Sequence, residues 1–102
     1  MNVETVEKLS VEQAIIYQIM ICQRCLTENV NSFNAVRTLL AMIPDDFYDD
    51  EFEKDLMRFC MLEEYDVEKA LEVSPHGVFH ACINLLQRIG LYLHKVEEEV
   101  FE

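Results

Sequence analysis

The cysteines and histidines are the side chains in this sequence whose spacing suits metal chemistry. Cys22 and Cys25 form a Cys-x-x-Cys pair, and His76 and His80 lie four residues apart, so the four together supply the donor set of a tetrahedral zinc site. Zinc ribbons, however, place such a pair on a knuckle with a second pair downstream. Here both cysteines fall on the apolar side of a predicted helix, where free thiols act as small core side chains. We therefore expect no cofactor and keep the Cys2His2 zinc-binding or regulatory module as the alternative.

Groups that often serve catalysis have simpler explanations in this sequence. Ser10, Ser32 and Ser74 each precede a predicted helix, where their hydroxyls suit helix caps. Gly77 and Gly90 lie too far apart for a phosphate-binding loop. The acid-rich middle of the chain lacks the glycine and alternating oxygen ligands of an EF-hand, and there are no paired Glu-x-x-His motifs for a di-iron site. We therefore predict that the protein is not an enzyme.

Carboxylates are concentrated between residues 44 and 72, which hold twelve of the twenty acidic side chains. The formal net charge is −12. The electric field of such a charge repels phosphate and attracts basic partners. Because the few lysines and arginines are scattered, we predict no direct binding to nucleic acid. Carboxylates on a helix can instead imitate the phosphates of a nucleic acid toward a basic groove. The side chains assigned to this role are Asp49, Asp50, Glu53, Glu63 and Glu64.

Apolar spacing near 3.6 residues, with only two glycines and two prolines, predicts an all-α fold. We expect one domain, a compact antiparallel bundle of four main helices plus one short helix. The first helix is predicted from Val11 to Glu28 after a capping box at Ser10, with residues 1–9 frayed or leading into it. The second helix is predicted over residues 33–43. The third is capped by Asp45 and Asp46 and ends near residue 64. The fourth covers residues 67–73 after a cap at Asp66, and the fifth covers residues 75–100 after a cap at Ser74.

The spacing also predicts which side of each helix is buried. On the first helix Val11, Ile15 and Ile19 share the inward stripe, whereas Glu12 falls on the opposite side. On the third helix the inward stripe includes Phe52 and Leu56.

Some apolar side chains fall away from these stripes. Met57 and Met61 lie four residues apart outside the stripe of the third helix, and Ile16, Tyr17 and Met20 fall among polar residues of the first helix. Thioethers adapt to irregular surfaces, so we interpret Met57 and Met61 as part of a partner-binding patch.

The last helix, at 26 residues, would be about 39 Å long, more than the diameter of a small domain. Its end carries an apolar surplus that a second copy of the chain would cover most simply about a two-fold axis. We therefore predict a homodimer, with its contact formed by Leu91, Val96, Val100 and Phe101.

Half of the residues are hydrophobic (51%), which argues against disorder despite the charge. The first ten residues carry acids where a signal peptide has a basic segment, and no stretch suits a membrane span. The sequence thus predicts a cytoplasmic, acidic, helical protein-interaction module that binds another protein, with a basic, nucleic-acid-binding protein as the sharper version of that partner.

Overall fold

The structure is a computed structural model, and it describes the backbone of residues 3–90 and the side chains of residues 11–90. Within that range the elements are five α-helices and one 3-10 turn. The helices are α1 (Val3–Glu28), α2 (Ser32–Met42), α3 (Asp50–Cys60), α4 (Val67–Val73) and α5 (Pro75–Arg88), and the 3-10 turn is Asp45–Phe47. No residue between 3 and 90 is in a strand. The prediction of an all-α bundle is therefore confirmed.

Helix α1 begins at Val3, so the prediction that a capping box at Ser10 starts it is wrong. Residues 3–10 contain neither glycine nor proline, and a serine inside a helix is only mildly unfavourable. The helix consequently continues toward the N-terminus through the residues that were expected to fray.

The buried stripe of α1 differs from the predicted one at its start. Ile15 and Ile19 are buried as expected, but Val11 is 53% exposed and Glu12 only 5% exposed. Ile16 is buried beside them, so the stripe is turned by about one residue, or 100°, at this end. Among the residues the structure describes, no group hydrogen-bonds to Oε2 of Glu12.

Helix α3 is anchored by its caps and its inward stripe. Asp49, rather than the predicted Asp45 or Asp46, caps it by accepting a 2.8 Å hydrogen bond from the amide of Phe52. Asp45 and Asp46 lie instead in the 3-10 turn after Pro44. Phe52, Leu56 and Cys60 are buried in one cluster to which all five helices contribute.

The C-terminal end of α3 is earlier than predicted. The helix ends at Cys60 instead of near Glu64, because Met61 takes a left-handed backbone conformation with φ 57°. The amide of Leu62 then donates to the carbonyl of Met57 at 2.8 Å, which is the bond that closes a Schellman motif.

Helices α4 and α5 follow their sequence signals at their starts. Asp66 caps α4 through the amide of Lys69, and Ser74 caps α5 through the amide of Gly77, both as predicted. Helix α5 ends at Arg88, however, so a continuous helix from Pro75 to Val100 is wrong. Gly90 has φ 78°, a left-handed conformation that stops a helix.

Helices α3 and α5 approach closely at Gly77. A β-carbon there would lie 2.7 Å from Sγ of Cys60 and 2.9 Å from the carbonyl oxygen of Phe59. This approach fixes α3 against α5 and thereby sets the direction in which the other side of α3 faces. Across residues 3–90 we find no helix with the length and apolar character needed to cross a membrane.

Candidate protein-interaction surface

The outward side of α3 carries the residues predicted to bind a partner. Asp50, Glu53 and Met57 follow three-and-four spacing and therefore share one side of the helix, opposite the buried Phe52 and Leu56. Asp50 is exposed, whereas Glu53 and Met57 are half-buried. We call this side, together with the adjoining residues Met61 to Glu64, the α3 face.

Asp49 does not belong to the free charge of the α3 face. Its carboxylate caps the helix and also accepts a 2.9 Å hydrogen bond from Arg88 of α5. The Phe52 amide and the Arg88 guanidinium both lower the pKa of Asp49, the amide having the larger effect. Asp49 thus ties α3 to α5, and the prediction that it contacts a partner stays untested.

Asp55 is a second structural carboxylate, and the sequence reasoning did not single it out. It is only 4% exposed and accepts hydrogen bonds from Arg58 at 2.7 Å, Arg88 at 3.4 Å and Asn84 at 3.5 Å. A buried carboxylate needs such partners, because leaving it unpaired is strongly unfavourable. The spacing of Asp55 and Arg58, three apart on one helix, was the signal available in the sequence.

The other acids of the α3 face have no such structural partners. Within residues 11–90, Asp50, Glu53, Glu63 and Glu64 take part in no ion pair. By contrast, the acidic side chains that do pair in this part of the chain are Glu28, Asp49, Glu51, Asp55 and Glu68. The charge of Asp50, Glu53, Glu63 and Glu64 is therefore available to an incoming cation.

Tyr65 lies beside this charge. Partial burial raises the pKa of its hydroxyl, and the negative charges of Glu53 and Asp45 raise it further. Tyr65 and Phe47 are both among the exposed large hydrophobic residues. The ring of Tyr65, close to the unpaired Glu53, offers a cation two favourable contacts, one with the charge and one with the ring.

Met61 is the most exposed large hydrophobic residue in the described part of the chain, at 89%. It lines a cleft of about 530 Å³ between the end of α3 and α4, together with Leu62, Glu63, Glu64, Lys69 and Val73. A methionine in the left-handed conformation is unfavourable by about 1–2 kcal/mol, and glycine or asparagine normally occupies such a position. Folding therefore gains little from a methionine side chain at this position.

The zinc alternative is not supported by the placement of its four residues. Cys22 is buried and its thiol donates to the carbonyl of Ala35 at 3.2 Å. Burial raises the pKa of Cys22 to about 11, which disfavours the thiolate that binds zinc. His76 and His80 are exposed, and the ring of His80 lies 5.9 Å from that of Phe59.

No group of three or more His, Cys, Asp or Glu side chains in the described residues is arranged to hold a metal ion. The four predicted ligands therefore do not converge.

The predicted dimer contact cannot be placed in the fold. Leu91, Val96, Val100 and Phe101 all lie outside the residues that the structure describes. Of the three apolar residues that fall among polar ones on α1, Tyr17 and Met20 are 65% and 60% exposed, whereas Ile16 is buried.

Comparisons with known proteins do not add to this description. No family model matches the sequence, and neither a curated protein nor a solved structure shows significant similarity to the chain.

Proposed function

We propose that the protein is a non-enzymatic interaction module that binds a basic protein through the α3 face. One observation carries the proposal: Asp50, Glu53, Glu63 and Glu64 take part in no ion pair within the described residues, and the α3 face that carries them also includes Met57 and the exposed Met61. The neighbouring acids Asp49 and Asp55 are instead bound by arginines.

The rest of the fold holds this surface in place. The ion pair between Arg88 and Asp49, the network around Asp55 and the close approach at Gly77 all fasten α3 to α5. A preformed charged surface speeds association with an oppositely charged protein and loses less entropy on binding. The methionines supply adaptable apolar contact beside the charge.

A sharper version of the proposal makes the partner a nucleic-acid-binding protein. Asp50 and Glu53 lie three residues apart on a helix, so their β-carbons are about 5–6 Å apart. Rows of carboxylates at such spacing present a basic groove with a charge pattern resembling a nucleic acid. Competition between this protein and nucleic acid for the same partner is the expected consequence.

The experiment is affinity enrichment from a lysate of the native host with three forms of the protein. These are the unmodified chain, the variant Glu53→Gln/Glu63→Gln on the α3 face, and the control Glu28→Gln/Glu68→Gln. Both variants remove two charges, but Glu28 and Glu68 pair with Arg24 and Arg37 outside this face.

We expect the unmodified chain and the control to capture basic proteins that the α3-face variant fails to capture. Added salt should weaken the capture of these proteins by every form. Equal retention by both variants would contradict the proposal.

Self-association forms the second part of the proposal. We propose a homodimer whose contact includes Leu91, Val96, Val100 and Phe101, on the basis of their apolar character in the sequence. Size-exclusion chromatography with light scattering measures the mass directly. A monomer whose stability is unchanged by Leu91→Glu would refute this part while leaving the α3 face untouched.

A further inference from the structure

The cleft between α3 and α4 combines apolar and negatively charged surface in one concave site. Met61 and Val73 are 89% and 57% exposed and lie on its wall, while Leu62 is half-buried. Its volume of about 530 Å³ falls within the usual range for sites that enclose a ligand group. Glu63 and Glu64 border the same cleft.

The charge of the cleft indicates the chemistry of its occupant. The carboxylates of Glu63 and Glu64 line it together with Asp66, which also caps α4, and Lys69 is the one cation among the described residues of its lining. Apolar surface bordered by excess negative charge suits a side chain with an aliphatic stem and a cationic end, as in lysine and arginine. An anionic or purely apolar occupant would leave these carboxylates uncompensated or desolvated.

We infer that this cleft is the anchor of the partner-binding surface and receives the lysine or arginine side chains of a basic amphipathic helix. The inference rests on the proposed function and deepens it by naming the partner's chemistry. The apolar residues of the partner helix pack on Met61 and Val73, and its cations lie against Glu63 and Glu64. Met61 then contributes to binding from a position at which it contributes little to folding.

The test uses a short synthetic amphipathic helix of leucine and lysine as the probe. The protein is labelled at its methionine methyl groups, which give five separate NMR signals. We expect the signal of Met61 to shift on titration, while that of Met20 on α1 does not move. A peptide in which glutamate replaces lysine is expected not to bind.

Matched variants separate the cleft from general attraction between opposite charges. Met61→Asn keeps a residue that tolerates the left-handed conformation, and we expect it to weaken binding several-fold, whereas Met20→Asn leaves affinity unchanged. Lys69→Gln removes the opposing charge and is expected to strengthen binding by about 2- to 5-fold, the range for one exposed charge. Circular dichroism of each variant confirms that the helices are retained.

The outcomes distinguish the inference from the function on which it rests. The cleft is not the anchor if the peptide shifts the NMR signal of Met20 but not that of Met61, or if Lys69→Gln binds the peptide more weakly. Either result leaves the acidic interaction module standing. Binding that is insensitive to Met61→Asn also overturns the cleft as the anchor. Failure of the lysine peptide to bind at low salt overturns both.

Discussion

Replacing Gly77 by alanine tests the contact that orients α3. At an exposed position inside a helix, glycine-to-alanine substitution stabilises a protein by about 1 kcal/mol. At Gly77 the new β-carbon would lie 2.7 Å from Sγ of Cys60, 2.9 Å from the carbonyl oxygen of Phe59 and 3.0 Å from its carbonyl carbon. Since two of these three atoms belong to the backbone of α3, side-chain rotation cannot relieve the overlap.

The expected magnitude follows from these distances. Ordinary contacts of a β-carbon begin near 3.4 Å, so α3 and α5 must separate by several tenths of an ångström along their contact. Overpacking of this kind is destabilising by about 1–3 kcal/mol. After subtracting the gain in helix propensity of about 1 kcal/mol, we expect Gly77→Ala to lower the free energy of unfolding by about 0–2 kcal/mol.

The assay is urea denaturation followed by circular dichroism, with the slope compared between variants to confirm that the same transition is measured. Cys60→Ala/Gly77→Ala should recover only part of the loss, because the Phe59 backbone stays in place. Gly90→Ala is the matched control, because nothing lies within 4 Å of the β-carbon that alanine would add. Any loss of unfolding free energy in this variant arises from the left-handed backbone at φ 78° alone, and Gly90→Asn should lose less. A higher unfolding midpoint for Gly77→Ala would refute the close approach.

Three further predictions concern charge, strain and thiol reactivity. The backbone amide that Asp49 caps lowers its pKa, so its stabilising effect is complete at neutral pH and is lost as the pH falls through the lowered value. The difference in unfolding free energy between the unmodified protein and Asp49→Asn, below about 1 kcal/mol for this exposed group, should be constant from about pH 7 to 5. It should begin to fall near the ordinary pKa of an aspartate, about 3.9, and vanish only below the lowered pKa of the folded state. Urea titrations at several pH values check this, and a difference that persists in acid would contradict it. Met61→Gly should raise the midpoint of thermal unfolding, because it removes a non-glycine residue from a left-handed conformation. Asn29→Gly, at φ 57°, should raise the midpoint less, since asparagine tolerates this conformation better. An unchanged or lower midpoint for Met61→Gly would count against strain at that position. In the native protein a disulfide reagent should modify the half-buried Cys25 first and Cys22 far more slowly, since burial raises the pKa of Cys22 to about 11; rapid modification of Cys22 would show that it is not enclosed.

Local signals in the sequence predicted part of the fold well. The bounds of α4 and the start of α5 agree with the structure because Asp66 and Ser74 cap the helices that follow them. Both caps act within three residues, so no long-range information was needed to predict them.

The errors arise where tertiary packing or unusual backbone geometry decides. Nothing in the local propensities predicts that Met61 adopts a left-handed conformation, so the end of α3 was placed too late. Glu12 is buried through the arrangement of whole helices, which apolar spacing on one helix does not specify. Gly90 was a helix-stop signal that the continuing apolar spacing concealed.

The sequence predicted the exposure of some residues of the α3 face but not the partners that hold others. Spacing alone placed Met57 and Met61 outside the stripe, and in the structure Met61 is highly exposed whereas Met57 is half-buried. The sequence could not separate Asp49, which Arg88 holds from a distant helix, from Asp50, which takes part in no ion pair in the described region. Val73 and Lys69 join the site only because α4 packs beside the end of α3.

The most direct test of the acidic interaction surface is calorimetric titration with the leucine–lysine helix at low and near-physiological ionic strength. Two contacts of exposed charges contribute about 0.4–2 kcal/mol, so Glu53→Gln/Glu63→Gln should raise the dissociation constant by about 2- to 30-fold. Glu28→Gln/Glu68→Gln should change the dissociation constant by less than about 2-fold. Added salt should reduce the difference in dissociation constant between the two variants. Equal weakening by the two variants would show that net charge alone attracts the helix and would contradict a binding surface on α3.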